Sequence, residues 1–102
     1  MIGYKRDHMS LKKKHLFLRY VGHIAFMTGK SREALSVETE EDISGVIARL
    51  DERYPGFKDV FIPQGGVFNT RTGIIIRRAG QPTLSVVDEQ VKVSDGDIIT
   101  FW

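Results

Sequence analysis

The residues of this chain that could do chemistry each lack the set their chemistry needs. Cysteine is absent, which removes disulfides, thiolate metal sites, iron–sulfur ligation and a thiol nucleophile together. His8, His15 and His23 could ligate a metal, but no cysteine or nearby carboxylate completes a tetrahedral set around them, so no metal is expected. Asp95 and Asp97 straddle Gly96 as a pair of carboxylates could in acid–base catalysis. Ahead of a strand the same residues serve to bond the local backbone, and that is the expected use. Ser31, Ser36 and Ser44 sit in no nucleophile-elbow context. No catalytic residue and no cofactor is therefore expected, and sulfur chemistry in such a chain would fall to a carboxyl terminus.

The positive side chains gather early, in Lys5, Arg6 and Lys12 to Lys14, and the formal charge is only +2. So small a cluster is expected to be a solvated tail, which argues against nucleic acid as the partner. Residues 1–14 show no hydrophobic periodicity and read as a mobile basic leader, with Met9 after His8 as an alternative start. The remainder, 15–102, has room for one domain and one core: 41% of the chain is hydrophobic and 27% charged, a balance that excludes disorder throughout. No run reaches the length of a membrane span and no signal peptide opens the chain, so a cytoplasmic protein without membrane partners is expected.

The elements follow from periodicity. His15 to Val21 alternates as a strand, Gly22 to Gly29 reads as a short connection packed on a sheet, and Ser31 to Glu38 reads as a second strand closing a hairpin. Thr39 with the acids Glu40, Glu41 and Asp42 resembles a capping box, so a helix of about 15 residues is expected to start there and end at Tyr54-Pro55-Gly56. Phe57 to Phe68 is apolar but broken by Pro63 and Gly65-Gly66, which fits a crossing loop holding a short helical or extended piece, and the pattern does not decide between the two. Strands follow at Gly73 to Arg78, within Thr83 to Val93, and at Ile98 to Trp102 after the turn at Asp95-Gly96. A strand so near the last residue must be held inside a sheet, and the first strand is its natural neighbour. The expected fold is α+β: a mixed sheet in the order β-β-α-β-β-β with one helix packed across it. The expected core is Leu16, Leu18, Leu35, Val37, Ile43, Val46, Ile47, Leu50, Ile74, Ile76, Ile99 and Phe101.

Taken together, the strand HLFLRYV, the helix ISGVIARLDERYPG, the strand and turn IIIRRAGQP and the closing DGDIITFW resemble the MoaD/ThiS family of ubiquitin-like sulfur carriers, across Leu16 to Trp102. The resemblance implies a β-grasp fold and a non-catalytic role in molybdopterin- or thiamine-type cofactor synthesis. The implied partners are an activating enzyme and a synthase subunit. Members of that family finish in a flexible Gly-Gly tail whose carboxylate is adenylated and converted to a thiocarboxylate; glycine suits a chain that must thread a narrow channel. This chain ends at Trp102, roughly five to seven residues short of such a tail, a reach of about 20 Å. The expectation is that the chain as it stands is not charged with sulfur, being either a shortened carrier or a relative that keeps only the binding surface. Gly65-Gly66 does not replace the tail, since cleavage there would discard the later strands. The other reading is an interaction module, ubiquitin-like or TGS-like, the latter touching RNA through Lys12 to Lys14, Arg77 and Arg78.

Alternation also predicts a working surface. With Ile74, Ile76, Ile99 and Phe101 inward, Phe17, Arg19, Ile75, Arg77, Ile98, Thr100 and Trp102 share the far side of the sheet. An apolar patch rimmed by arginine is expected to bind a protein partner, and without one to form a weak homodimer. The alternative is that loop 57–72 or the leader folds over it.

Overall fold

The computed structural model of the chain describes residues 13–38, 40–63 and 66–102. Strand β1 (Lys14–Tyr20) leads through helix α1 (His23–Thr28) to strand β2 (Arg32–Val37). Helix α2 (Ile43–Arg53) and helix α3 (Phe57–Phe61) follow, then strands β3 (Ile74–Arg77), β4 (Leu84–Ser85) and β5 (Ile98–Phe101). The sheet order is β2-β1-β5-β3-β4, with β1 and β5 parallel and the other neighbours antiparallel. The closing strand does lie beside the first, at the centre of a mixed α+β sheet. The expected leader lies outside the described residues apart from Lys13 and Lys14, and Lys14 already opens β1.

Two helices depart from the expected single one. The segment between Gly22 and Gly29 packs on the sheet as expected but does so as α1, burying Ile24 and Thr28. The stretch after Gly56 forms α3, and its Phe57 and Phe61 are wholly buried. Their rings stand 5.1 Å apart, with Phe101 at 5.2 and 5.4 Å from them and Tyr20 at 5.9 Å from Phe101. These spacings suit edge and tilted aromatic packing and give the core an aromatic centre that alternation on the strands could not reveal.

Helix α2 begins later than the capping-box pattern predicts. Thr39 lies outside the described residues, and the cap is Asp42, whose carboxylate accepts from the Gly45 N–H at 3.1 Å and the Ser44 hydroxyl at 2.7 Å. The Ile43 and Ser44 N–H groups donate to the Val91 and Glu89 carbonyls at 2.9 and 2.8 Å. Three amides of the first turn thus find partners, as a helix start requires. Those carbonyls also explain the shift: Asp42 bridges to Lys92 in extended pairing, which holds Glu40 to Asp42 out of the helix. The run ends where expected, at Tyr54-Pro55-Gly56, after 11 residues.

Eleven of the twelve expected core residues are buried; Leu35 is the exception, only partly buried against the cluster. It sits on β2, where no further strand of the described chain covers its outer flank.

Candidate partner-binding face

The register of the central strands sorts the expected surface residues into rows. Phe17 lies opposite Ile98, which lies opposite Arg77; Arg19 lies opposite Thr100, which lies opposite Ile75. Trp102 extends the pattern, exchanging backbone hydrogen bonds with Gly73 at 2.8 and 3.0 Å. All seven residues therefore share the face turned away from the helices. Phe17 is 51% exposed and Trp102 42%, while Ile75, Ile98 and Thr100 are half-buried between them. The described part of the 57–72 segment does not cover this face, because Phe57 and Phe61 lie in the core and Phe68 packs against it.

Gly73 is required by Trp102. A side chain at this position would occupy the space of the indole ring, so the absence of a Cβ lets the tryptophan pack against the strand. β2 adds residues that the sequence reading left out. Ala34 lies opposite Phe17 and Arg32 opposite Arg19; carrying the same alternation one strand further would have found both. Val21, 50% exposed next to the end of β1, continues the apolar surface. No Asp or Glu alternates onto this face in any of the five strands, so its arginines Arg19, Arg32 and Arg77 give it a positive rim.

The turn before β5 holds the face in register. Asp95 accepts from the His15 N–H at 2.6 Å, and Gly96 donates to the His15 carbonyl at 2.8 Å. Gly96 has φ of 87°, where an L side chain would be strained. Asp97 is wholly buried; it accepts from Arg78 Nε and Nη2 at 2.8 and 2.9 Å and from the Ser94 N–H at 2.7 Å. Both carboxylates are thus structural, with Asp95 reaching beyond its own turn. The Asp97 hydrogen bonds raise the Arg78 pKa against the opposing effect of burial. Arg78 is therefore committed, and Lys14 donates to the Val93 carbonyl at 2.6 Å. Of the cations expected to touch RNA, Lys12 lies outside the described residues, Lys13 is exposed just ahead of β1, and Arg77 lies on the open face. Among the described residues no cluster of histidine and carboxylate groups could hold a metal.

On the opposite side of β1 and β2, Glu33 forms a latch. Its Oε1 accepts from the hydroxyls of Tyr20 and Tyr54, each at 2.8 Å, and its Oε2 pairs with Arg53. Burial pushes the Glu33 carboxyl up, but the hydrogen bonds from Tyr54, Tyr20 and Arg53 outweigh it and hold the group below the usual carboxylate range. Burial, then the Glu33 carboxylate, pushes the Tyr20 phenol well above its usual value. The latch joins the sheet to the end of α2 and leaves its arginine and two tyrosines fully used.

The fold is what the chain shares with known structures. The Haloferax volcanii HVO 2177 protein matches with a TM-score of 0.68 at 16% identity, over 87% of this chain and 81% of that one. H. volcanii small archaeal modifier protein 1 matches at 0.65 and 14% identity, over 86% and 94%. A putative molybdopterin converting factor subunit 1 from Pyrococcus furiosus matches at 0.64 and 16% identity, over 86% and 94%. No family model and no curated protein sequence matches the chain. The chain has the ubiquitin-like β-grasp fold expected from the MoaD/ThiS resemblance.

Proposed function

We propose that this protein is a ubiquitin-like carrier or modifier of the MoaD/ThiS kind, acting in the cytoplasm and docking protein partners through the open face of its sheet. The observation that carries the proposal is the apolar patch on one face of a β-grasp sheet, exposed Phe17 and Trp102 with half-buried Ile98 and Ile75 between them, set among three arginines. Apolar centres with charged rims suit protein interfaces, and aromatic anchors contribute most to binding there. The named relatives support the type: one is a small archaeal modifier protein, another a putative molybdopterin converting factor subunit. In this reading the chain supplies recognition and no catalytic group. An activating enzyme would supply the adenylation and a synthase subunit would receive the sulfur.

The test is binding of the purified chain to a MoaD-type activating enzyme, with mass spectrometry after adding ATP and a sulfur donor. Trp102→Ala is expected to weaken binding by about tenfold or more while leaving the core intact. Absence of binding by the wild type would overturn the reading; a thiocarboxylate on a chain ending at Trp102 would overturn the expectation that this form is not charged. Self-association through the same face is held weak by charge, since two copies stacked face to face would bring arginines together without a carboxylate to meet them. Sedimentation across concentration is expected to show at most a weak dimer that Trp102→Ala abolishes.

A further inference from the structure

We infer that the outer edge of β2 is a second docking element, which takes an extended acidic-and-apolar segment of a partner protein as an added antiparallel strand. This rests on the reading that the chain works by docking proteins, and it specifies a part of the partner that the open face alone does not.

The hydrogen-bond phase of β2 carries the argument. Tyr20 donates to the Ser31 carbonyl at 2.9 Å, and bonded pairs alternate along an antiparallel ladder. With the register Leu18 to Glu33, Leu16 to Leu35 and Lys14 to Val37, those residues of β2 bond inward. Arg32, Ala34 and Ser36 then point their N–H and C=O groups away from β1. The other flank of β1 agrees, because Phe17 and Val21 donate to β5 and its approach, at the Asp97 and Phe101 carbonyls. Among the described residues nothing pairs with the outward backbone groups of Arg32, Ala34 and Ser36.

Free strand edges are ordinarily blunted by proline, a bulge or brevity. The other edge of this sheet is blunted: β4 has two residues and follows closely on Pro82. β2 has six residues, no proline or glycine, and an unbroken register. It also borders a depression of about 510 Å³ lined by Phe17, Arg19, Arg32, Ala34 and Ile98 among others.

These features define the occupant. Residues directly paired across strands project to the same face. A residue bonded opposite Ala34 therefore sends its side chain into the depression, against Phe17 and Ile98, where a branched apolar group fits. The residue bonded opposite Arg32 meets Arg32 and Arg19 and fits a carboxylate. The residue between Ser36 and Ala34 falls on the other face beside half-buried Leu35 and fits an apolar group. Main-chain bonds supply affinity and the alternate side chains supply selectivity, as in strand addition generally. The absence of any carboxylate on the open face among the described residues favours an acidic partner over a second copy of this chain.

The probe is a capped peptide Thr-Val-Ile-Thr-Glu, whose antiparallel register sets Ile opposite Ala34 and Glu opposite Arg32. Peptide binding is expected to shift the Arg32, Ala34 and Ser36 amide signals and slow their hydrogen exchange. Ala34→Pro removes only an outward N–H, a change that edge strands tolerate; it is expected to weaken binding by about tenfold with a near-unchanged melting curve. Arg32→Glu is expected to weaken the same peptide and to restore binding when its Glu is replaced by Lys. Wild-type binding by Ala34→Pro, or shifts confined to Ile75, Thr100 and Trp102, would overturn the inference. So would edge protection without peptide in a chain that sediments as a dimer, which would make a second copy the occupant. Trp102→Ala reads the open face by itself and lies away from β2, so failure at the edge and failure of the proposed function are separable.

Discussion

The two faces of one sheet are built from alternate residues of the same strands, yet they obey different rules. On the helix side Ile99 and Phe101 are wholly buried among Leu16, Leu50, Phe57 and Phe61, and the one carboxylate of β2, Glu33, is tied by two hydroxyls and a guanidinium. On the other side Ile98, Thr100 and Trp102 alternate with those residues along β5 and its end but meet solvent, and among the described residues the arginines there have no carboxylate beside them. The closed face satisfies everything it contains. The open face leaves apolar surface and positive charge uncompensated, and a partner with an apolar centre and acidic flanks supplies both.

The largest test of this contrast uses one residue type in adjacent positions. Ile99→Ala is expected to cost about 2–5 kcal/mol, as is Leu50→Ala beneath the sheet, whereas Ile98→Ala should cost less than about 1 kcal/mol. Thermal or denaturant unfolding measures both, and equal losses at Ile98 and Ile99 would erase the distinction between the faces. Next in size is Asp97→Ala, which leaves the Ser94 N–H without its acceptor and Arg78 without its counter-charge. A loss of about 1–3 kcal/mol is expected on unfolding.

A smaller effect sharpens the closed side through pH. Because the Glu33 carboxyl is held below its usual value, its contribution is complete above the unfolded pKa of about 4.3 and is lost as pH falls through the folded one. Glu33→Gln is therefore expected to be less stable at neutral pH but to lose less on acidification, and parallel acid-unfolding curves for both proteins would refute the latch. The smallest effect belongs to the open side. Gly73→Ala is expected to lift the indole off its strand, shifting the emission of the single tryptophan to the red with a stability change below about 1 kcal/mol.

Much of this was legible in the sequence because period-two alternation carries it. The seven surface residues and nearly all the core fell to their sides from the pattern of β-branched and aromatic residues alone. Leu35 failed because alternation gives a side of the sheet but not a distance from its edge. Thr39 was a poorer guide than Asp42 because the carbonyls that receive the first-turn amides come from residues 89 to 91, far along the chain. The Glu33 latch and the Arg78 clasp were invisible for the same reason, since each joins residues whose proximity only the folded topology creates. Helix α3 was obscured by its length: five residues are too few for a helical period to show, although Phe57 and Phe61 stand one turn apart.

The pairing of β1 with β5 also dictates when the sheet can form. The hydrogen bond from His15 to Asp95 joins residues 80 apart in sequence, whereas the hairpin of β1 and β2 closes within one short helix. On a ribosome the hairpin can assemble early, but the inner flank of β1 stays unpaired until residues 98 to 101 have been made. Contacts of such long range are entropically late and slow folding. The nascent chain therefore carries an unpaired strand flank until β5 emerges, and this is the interval in which it would depend most on chaperone protection.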